Sequence, residues 1–176
     1  IKIENNKFLE LRKKLLINNN FKELYQISIP KKSNKFLINR YLNHEIFNYK
    51  LYKVFDEQNS CVVVIRIIYL KRRCIIRIVD FIGEEKNILK ILKLLKYLEK
   101  KYTPEAIDIC SYGINKKYYT KLGLVDANNY QGIIIPDHVK PLEQKIVKLY
   151  CGYITTKSKE RYIRIMRGDG DRDRPS

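Results

Sequence analysis

The spacing of apolar residues changes several times along the chain, and each change marks an element. In residues 4–17, Phe8, Leu11, Leu15 and Leu16 fall at helical spacing before Asn18-Asn19-Asn20 breaks the pattern, which predicts a short amphipathic helix. Pro30 and the polar run to Ser33 predict a loop, with Ser33 placed to cap a second helix to about Tyr41 and His44 near its end. Residues 49–55 alternate as a strand does, and Asp56-Glu57-Gln58-Asn59 reads as a turn.

Residues 61–69 and 74–82 are almost entirely β-branched or aromatic, and the basic segment 70–73 joins them as a hairpin. Apolar residues occupy both parities, so both faces need cover and the hairpin belongs at the centre of a sheet. With Lys71 and Arg72 in the turn, Arg66 and Arg77 fall opposite each other. Facing like charges are costly in a buried ladder unless a carboxylate or anion joins them. The alternatives are a one-residue shift in register or arginines that reach solvent.

From Glu84 to Tyr102 the residues Ile88, Leu89, Ile91, Leu92, Leu95 and Leu98 form one broad apolar face, with lysines on the other. This helix should end before Pro104. Residues 106–112 read as a further strand, so strand, helix and strand predict a right-handed crossover with parallel strands. Residues 118–122 form a helical turn that stops at Gly123. Beyond it, residues 132–166 alternate short strands with a basic helix near 142–149, and no internal repeat occurs.

Composition narrows the class. A chain of 176 residues with 45% hydrophobic content fits one domain spanning 1–176, with room for a longer chain N-terminal to Ile1. No run approaches the roughly 18 consecutive apolar residues of a membrane span and no signal-peptide pattern is present, so a cytoplasmic protein without membrane insertion is expected. Cys61, Cys74, Cys110 and Cys151 lack the close pairing of a zinc site, and buried free thiols are expected instead. A net charge of +17 raises nucleic acid as a partner, yet Lys, Ile and Asn are abundant from end to end and the lysines form no single block. Nucleic-acid binding is therefore not the favoured reading.

The order hairpin, Asp80-Phe-Ile-Gly83, amphipathic helix, Ile107-Asp-Ile-Cys110 and Tyr118-Tyr-Thr-Lys-Leu-Gly-Leu124 resembles the core of the GNAT-like acyl-CoA N-acyltransferase superfamily over roughly residues 49–125. The ending Gly168-Asp-Gly-Asp-Arg-Asp-Arg-Pro-Ser176 resembles a branch associated with surface-polysaccharide and sugar modification. The resemblance implies an α/β fold: a GNAT-like mixed central sheet with an antiparallel hairpin, a crossover helix and a parallel strand. It also implies acetyl-CoA or another acyl-CoA as donor, lying where the two parallel strands splay apart.

The pyrophosphate would rest on N–H groups at the start of the crossover helix, where unpaired donors favour an anion. Here that position comprises Phe81, Ile82, Gly83, Lys86 and Asn87. Glu84 and Glu85 depart from the family's glycine-rich loop, complement the helix dipole themselves and would repel a phosphate, an effect that Lys86 and Lys90 only partly offset.

Tyr119, four residues before Gly123, fits the family's second signature, in which a tyrosine protonates the departing CoA thiolate. A phenol with an ordinary pKa near 10 holds its proton at neutral pH and can act as a general acid. A packed core tyrosine is the alternative. For general base the candidate is Asp80, near the end of a buried strand, or else Asp80 is an inert partner of Arg66 or Arg77. His44 is a candidate acceptor-binding residue. It and His138 are the only histidines, and for each a structural role is the alternative.

In the tail, Asp169, Asp171 and Arg174 are candidates to contact the acceptor, provided that the segment folds back over the cleft rather than fraying. The three alternating aspartates resemble the start of a calcium loop, but no distant glutamate follows, and no metal is expected. The resulting expectation is transfer of an acyl group to a small-molecule amine, such as one on a nucleotide-linked sugar. The alternative is a GNAT-like module that binds a sugar or a protein without catalysis.

Overall fold

A computed structural model describes residues 7–18, 30–129 and 163–170. The chain is α/β. Five strands form one mixed sheet in the order β1 (Lys7–Leu11), β2 (Tyr49–Phe55), β3 (Ser60–Leu70), β4 (Arg73–Ile82) and β5 (Ala106–Ile109). The first four are successively antiparallel, while β4 and β5 are parallel. The hairpin thus lies inside the sheet, as the apolar residues on both parities require. Lys71 and Arg72 form its turn, and Arg66 does stand opposite Arg77.

Each face of the hairpin has its own cover. Val63, Ile65, Ile76, Ile78 and Phe81 pack against Ile88, Ile91, Leu94, Leu95 and Leu98 of the crossover. On the other face Val62, Val64, Val79 and Ile82 meet Leu16, Leu37 and Tyr41. Fully burying each such side chain is worth roughly 1.5–3 kcal/mol, so this three-layer packing dominates the stability of the sheet.

The helices depart in detail from the periodicity. Phe8 and Leu11 lie in β1 rather than in a helix over 4–17, and only α1 (Lys13–Asn18) is helical there. The reason is tertiary: β2 is largely buried and offers an open ladder edge, which the Lys7–Leu11 backbone fills, while Phe8 meets Tyr52 and Tyr97 edge-on and tilted. Ser33 caps α2 (Asn34–Leu37) by accepting from the Phe36 N–H at 3.1 Å, and α2 continues as a π turn, Ile38–Leu42. The crossover begins as a 3₁₀ helix, Glu85–Ile91, and becomes α3 (Leu92–Tyr102), which ends on Thr103 in a left-handed conformation ahead of Pro104.

The predicted strand 106–112 is broken at Cys110: after β5 comes β6 (Ser111–Tyr112), which pairs with β7 (Ile165–Met166) in a separate small sheet. The helix α4 (Lys116–Lys121) follows, capped by Asn115. Cys61, Cys74 and Cys110 are free thiols, the first two buried. Cys151, His138 and the basic helix expected near 142–149 lie outside the described residues. Among the described residues, no helix is long and apolar enough to cross a membrane.

Candidate functional site

The two parallel strands pair only from Ile75↔Ala106 to Ile78↔Ile109, yet β4 runs on to Ile82. A register shift against β3 falls at the same place: Ile65 pairs with Ile78 and Val64 with Asp80, leaving Val79 as an extra residue. Such a bulge bends the strand and turns β4 away from β5. Residues 166–168 cross the apex of the gap so formed. Met166 pairs with Ser111, the Arg167 N–H donates to Cys110 O at 3.2 Å, and Gly168 lies against Val79 and Tyr41. A Cβ at position 168 would fall 2.1 Å from Tyr41 Oη, so only glycine fits this crossing without a shift.

At the far end of β4 the start of the crossover faces the gap. Gly83 has φ +146°, and a Cβ there would meet Cys61 Cβ at 2.8 Å, so both backbone conformation and space demand glycine. The two glutamates that follow, the N-cap and the first helical residue, each have a partner. Glu84 pairs with exposed Lys86 at 2.8 Å, and Glu85 accepts from the Asn115 N–H at the start of α4. Lys90 is buried on Asp56, and burial lowers its pKa. Phe81 and Ile82 are core residues on opposite faces, and Asn87 is buried with its carbonyl accepting from the Cys61 thiol. Arg164, one residue before β7, donates from Nη1 to Gly83 O at 2.6 Å.

Tyr119 reaches the same region from α4. Its hydroxyl hydrogen-bonds that of Ser111 in β6. Burial pushes the phenol up to about 12, opposed by the Ser111 hydrogen bond and by the Arg164 charge. The phenol is therefore protonated at neutral pH, and Arg164, which holds Gly83, is near enough to favour its anion.

Asp80 lies on the other side of β4 from the Phe81 ring and is inaccessible to solvent. Its Oδ1 accepts from Lys32 Nζ at 2.5 Å and from the Phe81 N–H at 2.8 Å, and its Oδ2 accepts from Tyr41 Oη at 2.8 Å. It partners neither Arg66 nor Arg77: Arg77 is held by Asp108 of β5 through contacts of 2.7–3.0 Å, and Arg66 lies 3.6 Å from the Phe47 ring centroid. The parallel register Arg77↔Asp108 supplies the carboxylate that the facing arginines require.

Lys32 also bonds Asp169 at 2.9 Å, so the tail and β4 share one ammonium. Burial first, then the neighbouring Asp80, raises the Asp169 carboxyl above the usual range. Burial, reinforced by Asp80, likewise raises Tyr41 and keeps it neutral. Arg40 donates to the carbonyls of Gly168 and Gly170, which fixes the described end of the tail inward.

His44 stands apart from this network. Its Nδ1 accepts from the N–H groups of Ile46 and Phe47, and its ring stacks on Phe47 beside a shallow cavity of about 330 Å³. Asp171 and Arg174 lie outside the described residues. The structure thus gathers Gly83, Tyr119 and the start of the crossover at one gap and Asp80 with Asp169 behind it. It adds Lys32, Tyr41, Ser111 and Arg164, which sequence reasoning did not single out. No protein-family model, curated protein or solved structure matches the chain. Among the described residues, no group of three or more His, Cys, Asp or Glu could hold a metal.

Proposed function

We propose that the chain is an acyltransferase of the GNAT-like kind, moving an acetyl or other acyl group from acyl-CoA to an amine, on a nucleotide-linked sugar in surface-polysaccharide biosynthesis. The observation that carries the reading is the parting of β4 from β5 beyond Ile78 and Ile109, with the Gly83 turn on one side and the Tyr119 hydroxyl on the other. Glu84 is the N-cap of the crossover and Glu85 lies in its first turn, so acidic charge stays at the helix start, offset by Lys86, which pairs with Glu84, and by buried Arg164 on the Gly83 carbonyl. Phe81, Ile82 and Gly83 form the wall of the donor site, with Lys86 and Asn87 in the first turn.

Acyl-CoA supplies the activated thioester. Tyr119 holds a proton at neutral pH and gives it to the leaving thiolate, while Ser111 fixes the direction of the phenol. Asp80, with three donors on its two oxygens and no exposure, serves to position Tyr41 and Lys32, and removal of the amine proton falls to water. Asp169, Asp171, Arg174 and His44 remain the proposed acceptor contacts.

One observation favours a second reading, a GNAT-like sugar- or protein-binding module without catalysis: Asp80, the carboxylate near the end of β4 named as base, is closed off from solvent. A calorimetric titration with acetyl-CoA at moderate salt separates the two, since low salt lets a +17 protein attract any polyanion. Saturable one-site binding supports the acyltransferase. Heat no larger than that of dilution overturns it in favour of the module.

A further inference from the structure

Arg164 differs from three other buried cations around the sheet. Arg77 is clasped by Asp108, Lys32 lies between two carboxylates, and Lys90 pairs with Asp56. Arg164 is only 7% exposed, yet no carboxylate among the described residues lies within ion-pairing distance of it. Its hydrogen bond runs from Nη1 to the carbonyl of Gly83, its guanidinium carbon lies 5.2 Å from the Phe81 ring centroid, and its buried Nε meets no acceptor among the described residues. A carbonyl and a ring face offset only part of the cost of burying a guanidinium.

The nearby acids are engaged elsewhere: Asp80 by Lys32, Tyr41 and the Phe81 N–H, and Glu85 by the Asn115 N–H. Arg164 is also firmly held. Ile163 O packs where a Cβ on Gly113 would lie, and Met166 pairs with Ser111 two residues on. A rigid planar fork with spare donors, at low dielectric and beside the gap, is the arrangement that recognises an oxyanion.

We infer that Arg164 is an oxyanion-binding residue of the β4–β5 gap, and that the oxyanion is carried by the acyl donor, as its pyrophosphate or as the carboxylate of a dicarboxylic acyl group. The identity of the carrier rests on the acyl-CoA reading above; the oxyanion site rests on Arg164 itself. The charge that the two glutamates deny to the helix start is supplied from the C-terminal segment.

The test is calorimetry on the full chain and on Arg164→Gln and Arg164→Lys, at one moderate ionic strength, with pyrophosphate, CoA, pantetheine and succinyl-CoA. A loss of about tenfold or more in CoA affinity in Arg164→Gln, smaller in Arg164→Lys and absent for pantetheine, assigns the pyrophosphate. A loss confined to succinyl-CoA assigns the acyl carboxylate. Equal binding of both CoA ligands by parent and variants overturns the inference and leaves the acyl-CoA reading standing. If the parent binds neither CoA ligand, the acyl-CoA reading falls; pyrophosphate binding abolished in Arg164→Gln then still supports the oxyanion site, and its absence overturns that as well. Should the variants fail to fold, the Arg164 Nε–H resonance of the parent protein decides. It should shift on saturation with the bound ligand, and an unmoved signal overturns the inference.

Discussion

The two halves of β4 solve the same problem in different ways. From Cys74 to Ile78 the strand has β3 on one edge and β5 on the other for most of its length, and its buried charge, Arg77, is answered by the residue registered beside it, Asp108. From Val79 to Ile82 only β3 remains as a strand partner among the described residues. The Phe81 N–H is taken by the side chain of Asp80, the Gly83 carbonyl by Arg164, and the apex by residues 166–168. Buried backbone groups must be paired, so where the ladder stops, one adjacent side chain and one from a distant part of the chain replace it. The first half is a closed structural element. The second is an assembled one, and an assembled edge is where a ligand can take over a partner's place.

The largest expected effect breaks the first half. Asp108→Ala leaves Arg77 buried without its carboxylate and should cost about 3–5 kcal/mol, read from urea denaturation. A loss well under 1 kcal/mol would mean that the register pair is not what makes the facing arginines tolerable. The next change concerns function in the second half. On the proposed acyltransferase reading, Tyr119→Phe should slow acyl transfer by roughly 10²-fold while leaving CoA affinity nearly unchanged, because the proton would be given up only as the thiolate leaves. Unaltered turnover would remove Tyr119 from the chemistry.

A smaller effect sharpens the role of the apex. Gly168→Ala places a methyl group in the space of Tyr41 Oη and should destabilise by about 1–3 kcal/mol through overpacking. The Gly168→Ala loss should be smaller in a Tyr41→Phe background than in the parent, each measured against its own background so that the hydrogen bond lost to Asp80 cancels, and an equal loss in both would place the strain elsewhere.

The smallest effect is a pH dependence. The Asp169 carboxyl is raised in the folded protein, so the folded state binds its proton more tightly than the unfolded state does. The stability it contributes is fully present below the ordinary Asp range and is lost as pH rises through that range toward the raised value. Asp169→Asn should therefore gain on the parent protein as pH rises from about 4, measured as the difference between their urea midpoints. A difference that stays flat would contradict the shift.

The difference between the halves also explains what could be read from the sequence. The strands of the first half were legible because β-branched residues on both parities and a two-residue turn fix the register, and with it the Arg66↔Arg77 opposition. The crossover was legible from its apolar face, although its first seven residues are 3₁₀ rather than α. Phe8 and Leu11 misled, because four residues at helical spacing cannot report that β2 has an open edge beside them. In the second half, Asp80, Gly83 and Tyr119 could be named from local pattern. Their neighbours could not: Lys32 and Asp80 are 48 positions apart, Lys32 and Asp169 are 137 apart, and no periodicity links such residues.

The most direct test of the central claim, that the gap between the parted strands receives acyl-CoA, is amide hydrogen exchange on the full chain with and without acetyl-CoA at moderate salt. Protection is expected in peptides covering residues 80–88 and 110–119, with the ladder residues 74–78 and the turn at residues 56–59 unchanged. Protection absent from both peptides, or confined to the cavity beside His44, would contradict it.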